Sequence, residues 1–129
     1  MKRKFFVYGT LREGEKYSGI IDPHVVMRRV VRLEGFRLFD DGRGYPLMVE
    51  GGEGDSVVGE VVVVDDPDGR VLAAVDRLED AGEDIPVEER LYRRVLVEVD
   101  GEEVWTYLYN GDPPPGARQI TDWVREGRK

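Results

Sequence analysis

The stretch FFVYGTLREGEK, Phe5 to Lys16, starts as a strand and ends as something close to a phosphate loop. Gly9 is followed by four residues and then Gly14, but Glu15 stands where the loop lysine belongs, Lys16 comes one residue late, and Tyr17 replaces the serine or threonine. A phosphate loop needs that lysine directly after the second glycine to reach the phosphates, and the hydroxyl next to it to reach magnesium. An acid in its place repels a triphosphate, so nucleotide binding is set aside. What remains is a buried strand that runs into Tyr8-Gly9-Thr10-Leu11, where a glycine lets the backbone approach a ligand with its N–H groups unscreened. Such a turn suits a small carboxylate. It is equally compatible with an ordinary strand-to-loop turn that has glycine at positive φ.

Around this stretch the chain is 129 residues long, enough for one domain over 1–129 that buries roughly two-thirds of its unfolded surface. The basic opening Met-Lys-Arg-Lys is followed by only three apolar residues before Tyr8 and Gly9, too few for a secretory segment. The longest apolar run, Val57 to Val64, contains Gly59 and Glu60 and is far too short to cross a bilayer. A cytoplasmic protein with no membrane partner is the expectation. The formal charge of −8 opposes nucleic-acid binding, which relies on lysine and arginine displacing counterions. Cysteine is absent, His24 is the only histidine, and neither Ser18 nor Ser56 lies in a G-x-S-x-G elbow. Thiolate metal sites, cysteine nucleophiles and a Ser/His/Asp hydrolase therefore lack material, and proton transfer falls to carboxylates, tyrosine or lysine. No metal and no cofactor are expected.

Twenty valines favour sheet over helix, because β-branched side chains fit a pleated surface. Strands are predicted over Lys4 to Tyr8, Val25 to Leu33, Phe36 to Phe39, Leu47 to Val49, Val57 to Val64, Arg93 to Val99 and Val104 to Tyr109, with Asp100-Gly101 as a hairpin turn. The weak alternation around Leu96 predicts cover on both faces of its strand. One helix is predicted to open near Asp66-Pro67-Asp68, run through VLAAVDRLED and stop by Gly82. At about 100° per residue, Val71, Leu72, Ala74, Val75 and Leu78 fill one arc, and Glu79 falls inside it. Either a carboxylate is aimed at the core, or a frayed last turn lets it reach water. The charged segment Glu83 to Arg90 reads as a solvated loop, and the tail as a short helix through Ile120, Trp123 and Val124.

The opening VYGTLREG resembles the signature of the gamma-glutamylcyclotransferase-like family (the gamma-glutamylamine cyclotransferase, AIG2-like branch), in which a strand feeds a Y-G-[TS]-L turn. The resemblance continues in order through Gly44-Tyr45-Pro46, VGEVVVVD (Val58 to Asp65), VDRLE (Val75 to Glu79), the Tyr92-Arg93 pair and WTYLY (Trp105 to Tyr109). The segment between Glu79 and Tyr92 is longer than is common in that family, and it supplies further acids, Glu88 and Glu89 among them. The resemblance implies an α+β fold, a small mixed β-barrel with flanking helices, and Glu79 as general base.

It also implies a reaction: the α-amine of a γ-glutamyl amine or γ-glutamyl amino acid attacks its own γ-carbonyl and releases 5-oxoproline and a free amine. A non-catalytic module binding small carboxylates on the same fold, or a tailoring enzyme removing a γ-glutamyl cap, are the competing readings. The substrate amine, with a pKa of about 8, must first lose a proton, and burial that lifts a glutamate from about 4.3 to about 6.5 cuts that cost from roughly 5 to roughly 2 kcal/mol. Tyr8, Gly9, Thr10 and Leu11 are expected to hold the carboxylate or oxyanion, the backbone N–H groups from Gly9 to Leu11 acting as donors. Tyr45, Tyr107 and Tyr109 either wall the pocket or fill the core. Arg12 and Arg93 pair with a substrate carboxylate or with Glu79, or Arg12 instead forms an exposed ion pair elsewhere. His24 is read as a loop residue.

Overall fold

The computed structural model describes residues 2–81 and 85–127. Eight strands are found among them: β1 (Lys2–Val7), β2 (Val25–Glu34), β3 (Phe36–Asp40), β4 (Leu47–Glu50), β5 (Ser56–Asp65), β6 (Tyr92–Val99), β7 (Glu102–Tyr109) and β8 (Arg118–Ile120). Helix α1 (Arg70–Leu78) and the single turn α2 (Trp123–Glu126) complete the regular structure, beside three short 3-10 turns.

The strand at Phe5 is the centre of the molecule. β1 pairs antiparallel with β5 and parallel with β7, giving a five-stranded mixed sheet in the order β2-β5-β1-β7-β6. Successive side chains leave a strand on opposite faces. Phe5 and Val7 accordingly join Val62, Val64, Val71, Val75 and Tyr107 on the face covered by α1, while Phe6 and Tyr8 join Leu38, Met48, Val61, Ile120 and Trp123 on the other. That second face is covered by a small sheet in the order β4-β3-β8. Gly59 belongs to this packing: a Cβ there would stand 2.6 Å from the Phe6 ring and 2.5 Å from the Val7 carbonyl oxygen.

The mixed α+β fold is the expected one, but the barrel is not closed: its strands form two open sheets. Gly35, at φ +86, turns the chain between β2 and β3, so β3 leaves the edge of the first sheet and pairs with β4 and β8 instead. An isolated bridge, Val58 to Asp122, ties β5 to the segment that follows β8. β2 and β6 thus remain edges. The expected cover on both faces of β6 is corrected as well, since Leu96 is 49% exposed on one of them.

Two further expectations shift. The tail divides into β8, where Ile120 pairs with Leu38, and α2, which starts only at Trp123 because the Asp122 side chain accepts the Val124 N–H. Helix α1 opens at Arg70 after Gly69, which has φ +79, later than Asp66-Pro67-Asp68. Asp66 still satisfies the first turn by accepting the Val71 and Leu72 N–H groups, each at 3.1 Å. The helix ends at Leu78, and Gly82, its expected limit, lies outside the described residues, as do Glu83 and Asp84 of the charged loop. No helix is long and apolar enough to cross a membrane among the described residues.

Candidate active site

β1 delivers its C-terminal end to a cavity of ≈ 260 Å³ bounded by α1, the Tyr45-Pro46 segment before β4, and Tyr92 and Tyr107 of β6 and β7. All seven residues singled out from the sequence, Tyr8, Gly9, Thr10, Leu11, Tyr45, Glu79 and Tyr107, line it. No arginine, lysine or histidine does so among the described residues.

The glycine turn is built for close packing. A Cβ on Gly9 would meet the Pro46 ring at 2.6 and 2.7 Å, and Gly9 is not at positive φ, so the glycine is explained by its contact with proline rather than by a left-handed turn. The Arg12 N–H donates to the Gly9 carbonyl at 3.0 Å and the Tyr17 N–H to that of Thr10 at 2.8 Å. These bonds close the loop from within and leave the N–H groups of Gly9, Thr10 and Leu11 with no acceptor among the described residues.

Arg12 anchors this turn from behind. Only 5% exposed, it donates to Glu60 Oε2 at 3.1 Å and to Asp122 Oδ1 at 2.8 Å, while Glu60 Oε1 accepts from the Glu13 N–H and from Arg28 at 2.6 Å. Arg12 thus pairs away from the cavity, as one alternative held, but it does so buried. Arg93 is exposed and lies against Glu50 at 3.5 Å, His24 is exposed at the entry to β2, and Glu88 and Glu89 are exposed on a 3-10 turn.

Glu79 caps the end of α1. Its N–H still donates to Val75 O at 3.0 Å, which keeps the side chain in register with the apolar arc. The carboxylate has no ion pair or hydrogen bond among the described residues. Burial pushes its pKa up to about 7, with the neighbouring Asp80 charge adding to the shift. The ordinary fate of a buried acid is to be paired, so a lone one in a cavity is the kind of group that marks a reactive site.

Three phenols face Glu79, and burial raises the pKa of each, so they are neutral. Their hydroxyls are already committed: Tyr8 donates to Tyr107 O, Tyr92 to Pro46 O and Tyr107 to Asp76 Oδ1, each at 2.6 Å. They shape the walls rather than offer free donors. Tyr92, Pro46, Tyr17 and Asp80 line the cavity without having been singled out; the first two already stood inside quoted motif segments. Tyr109 does not line it, and packs edge-on behind Tyr92 with ring centroids 6.1 Å apart.

The model of the family described as "Gamma-glutamyl cyclotransferase, AIG2-like" matches residues 5–125. The chain belongs to this family. A Vibrio cholerae protein provisionally named a gamma-glutamylcyclotransferase is 38% identical over 109 residues, 84% of each chain. A gamma-L-glutamyl-butirosin B gamma-glutamyl cyclotransferase of Niallia circulans is 32% identical over 121 residues, 92% of this chain and 73% of that one. Among solved structures, the mouse AIG2-like protein superposes with a TM-score of 0.61 at 26% identity, covering 84% of this chain and 76% of that one. A Pyrococcus horikoshii protein at 20% identity, TM-score 0.67, covering 95% and 91%, shares the fold. The protein is a gamma-glutamylcyclotransferase-like enzyme with the mixed α+β fold of that family.

Proposed function

We propose that the enzyme converts a γ-glutamyl amine or γ-glutamyl amino acid to 5-oxoproline and the free amine, with Glu79 as general acid and base. The observation that carries this is a half-buried, unpartnered glutamate with a pKa of about 7 in the same cavity as a turn of free N–H groups. With the substrate ammonium near 8, proton transfer to such a glutamate is uphill by only about 1.4 kcal/mol. The freed amine attacks the γ-carbonyl carbon, the new C–N bond closes a five-membered ring, and the negative charge collects on the carbonyl oxygen. Glu79 then returns its proton to the departing nitrogen as the old C–N bond breaks, and the second proton of the ring nitrogen passes through the same carboxylate to the released amine, which leaves as an ammonium ion. The balance needs no other reactant.

The N–H groups of Gly9, Thr10 and Leu11 are suited to the substrate α-carboxylate or to the developing oxyanion. Because the attack is intramolecular, the tyrosine walls act chiefly by holding the γ-glutamyl chain in a folded conformer. A cap-removing tailoring role shares every step and differs only in the leaving amine; the Niallia circulans relative, named for gamma-L-glutamyl-butirosin B, favours including such conjugates. Incubating the protein with γ-glutamyl amines, γ-glutamyl amino acids and gamma-L-glutamyl-butirosin B, with 5-oxoproline read by mass spectrometry, tests the proposal. Formation from at least one class is expected, and none from any would overturn it.

A further inference from the structure

Asp80 departs from two local rules at once. Among the described residues only Asp80, at φ 50, and Asp100, at φ 52, are non-glycine residues in the left-handed region. Asp100 sits with Gly101 in the β6–β7 hairpin, where aspartate is a favoured turn residue. Asp80 instead closes a helix. Its N–H donates to Arg77 O at 3.3 Å and the Ala81 N–H to Asp76 O at 2.9 Å, the pattern that ordinarily places glycine at this position. A side chain there costs on the order of 1 kcal/mol. The second departure is electrostatic: two successive carboxylates stand at the negative end of the helix dipole, where cations are favoured.

Stability thus favours neither the backbone nor the charge of Asp80, and strain of this kind collects at functional sites. The left-handed turn brings Glu79 and Asp80 to the same cavity, although consecutive residues of a continuing helix would diverge by about 100°. Their settings differ. Glu79 is withdrawn among Tyr8 after β1, Tyr92 of β6 and Tyr107 of β7, and Asp80 is exposed at the rim. Tyr17 and Tyr45 are the other titratable groups on the wall, and no lining cation competes for either acid among the described residues.

We propose that Asp80 docks the cationic α-ammonium group of the γ-glutamyl substrate at the cavity rim and presents it to Glu79. The proposal rests on the γ-glutamyl reading above and deepens it: the ligands are γ-glutamyl compounds with a free α-amine, and their deaminated or N-acylated counterparts are rejected. The two acids divide the work. Asp80 supplies charge in contact with water, where it attracts the ammonium, while Glu79, half-buried among the tyrosines, has the proton affinity to take its proton. The Asp80 charge also contributes to that affinity. An ordinary helix-closing glycine would do neither.

The test separates binding from turnover by using the Glu79→Gln protein, in which Asp80 is the only carboxylate on the cavity wall among the described residues. Calorimetry with γ-glutamyl methylamide and with its deamino counterpart, glutaric acid monomethylamide, is expected to show the amine-bearing compound binding about fivefold or more tighter. Adding Asp80→Asn or Asp80→Gly should reduce that preference to within twofold. The glycine variant relieves the left-handed strain and should melt no lower than its parent, so a lost preference is not lost folding. In the otherwise unaltered enzyme, Asp80→Asn should shift the acid limb of kcat/KM to lower pH, and the shift should shrink in high salt as an exposed charge is screened. No preference in the Glu79→Gln protein, or one that survives both Asp80 substitutions, overturns the proposal. Absence of 5-oxoproline from the unaltered enzyme would instead remove the cyclotransfer reading, with the binding preference still to be read on its own.

Discussion

Asp66 and Glu79 flank the same nine-residue helix, both carboxylates, the first buried and the second half-buried, yet their surroundings drive their proton affinities in opposite directions. At Asp66 burial works against the charge, but the Val71 and Leu72 N–H groups and Arg3, whose Nε lies 2.8 Å away, outweigh it and hold the carboxyl below its usual range. At Glu79 burial meets no opposition and is reinforced by Asp80. The helix dipole runs the same way, favouring an anion at the first end and disfavouring it at the second. Burial by itself therefore does not mark a functional acid. Glu79 differs from Asp66 in lacking donors and in lining the cavity, among the described residues.

The largest effect should come from removing the acid that has no partner. Glu79→Gln keeps the shape and hydrogen-bonding capacity but not the base, so the rate of 5-oxoproline formation should fall by about a hundredfold or more, with substrate affinity changing much less. The same variant should be more stable. A carboxylate whose folded pKa is raised from about 4.5 to about 7 contributes fully only below about pH 4.5, and its contribution is lost as the pH rises through about 7. The gain in melting temperature should accordingly be greatest above pH 7 and vanish below about 4.5. Normal turnover, or a gain that does not depend on pH, would break the contrast at its functional end.

The structural end predicts the opposite sign. Asp66→Ala strands two N–H groups of the first turn and leaves Arg3 unpaired, at a cost of about 3 kcal/mol by chemical denaturation. Because the Asp66 pKa is depressed, this stabilisation is present above the ordinary value of about 3.9 and is lost as the pH falls through the folded one. The gap between wild type and variant should therefore close in acid. An unchanged denaturation midpoint near neutrality would mean that Asp66 is not what holds the helix start.

The contrast also explains what the sequence could reveal. Glu79 was legible because a helical wheel needs only local order, and its position in the apolar arc follows from Val71, Leu72, Val75 and Leu78. Strands rich in valine were legible for the same reason. The path of β3 away from the first sheet was not, since a glycine between two strands specifies a turn but not which sheet receives the next strand. Asp80 was hidden by its place in the predicted helix, where it falls outside the apolar arc, and only the left-handed backbone brings it to the cavity. Arg12 was legible as an ion-pair former, but its partners, Glu60 and Asp122, lie 48 and 110 residues away in sequence.

A smaller effect is expected where the glycine turn meets Pro46. Gly9→Ala places a methyl group within 2.7 Å of the proline ring, which is rigid and can yield only by moving the Tyr45-Pro46 wall. Positioning errors of this size cost rate rather than fold. A fall in kcat/KM of about tenfold is expected, with the melting temperature lowered by only a few degrees. Loss of folding without any active fraction would show the contact to be structural first.

The smallest effect separates Glu79 from a third carboxylate on the same helix. Asp76, one turn earlier, has the partners that Glu79 lacks: Tyr107 donates to its Oδ1 at 2.6 Å and Arg94 to its Oδ2 at 2.7 Å, with the guanidinium carbon 4.7 Å from the Trp105 ring centroid. Tyr107→Phe removes one of these bonds while keeping the ring against the cavity. Asp76 remains paired with Arg94, so the loss should be the net worth of one hydrogen bond, about 1 kcal/mol. That is roughly a fivefold change if it is felt entirely in substrate positioning, and it should appear in KM more than in kcat, because the hydroxyl is committed to Asp76 and does not donate to the reacting atoms. The pH at which activity rises should stay where Glu79 sets it. A hundredfold loss in kcat would reverse this assignment and place the Tyr107 hydroxyl, released from Asp76 when substrate binds, among the groups that touch the reaction.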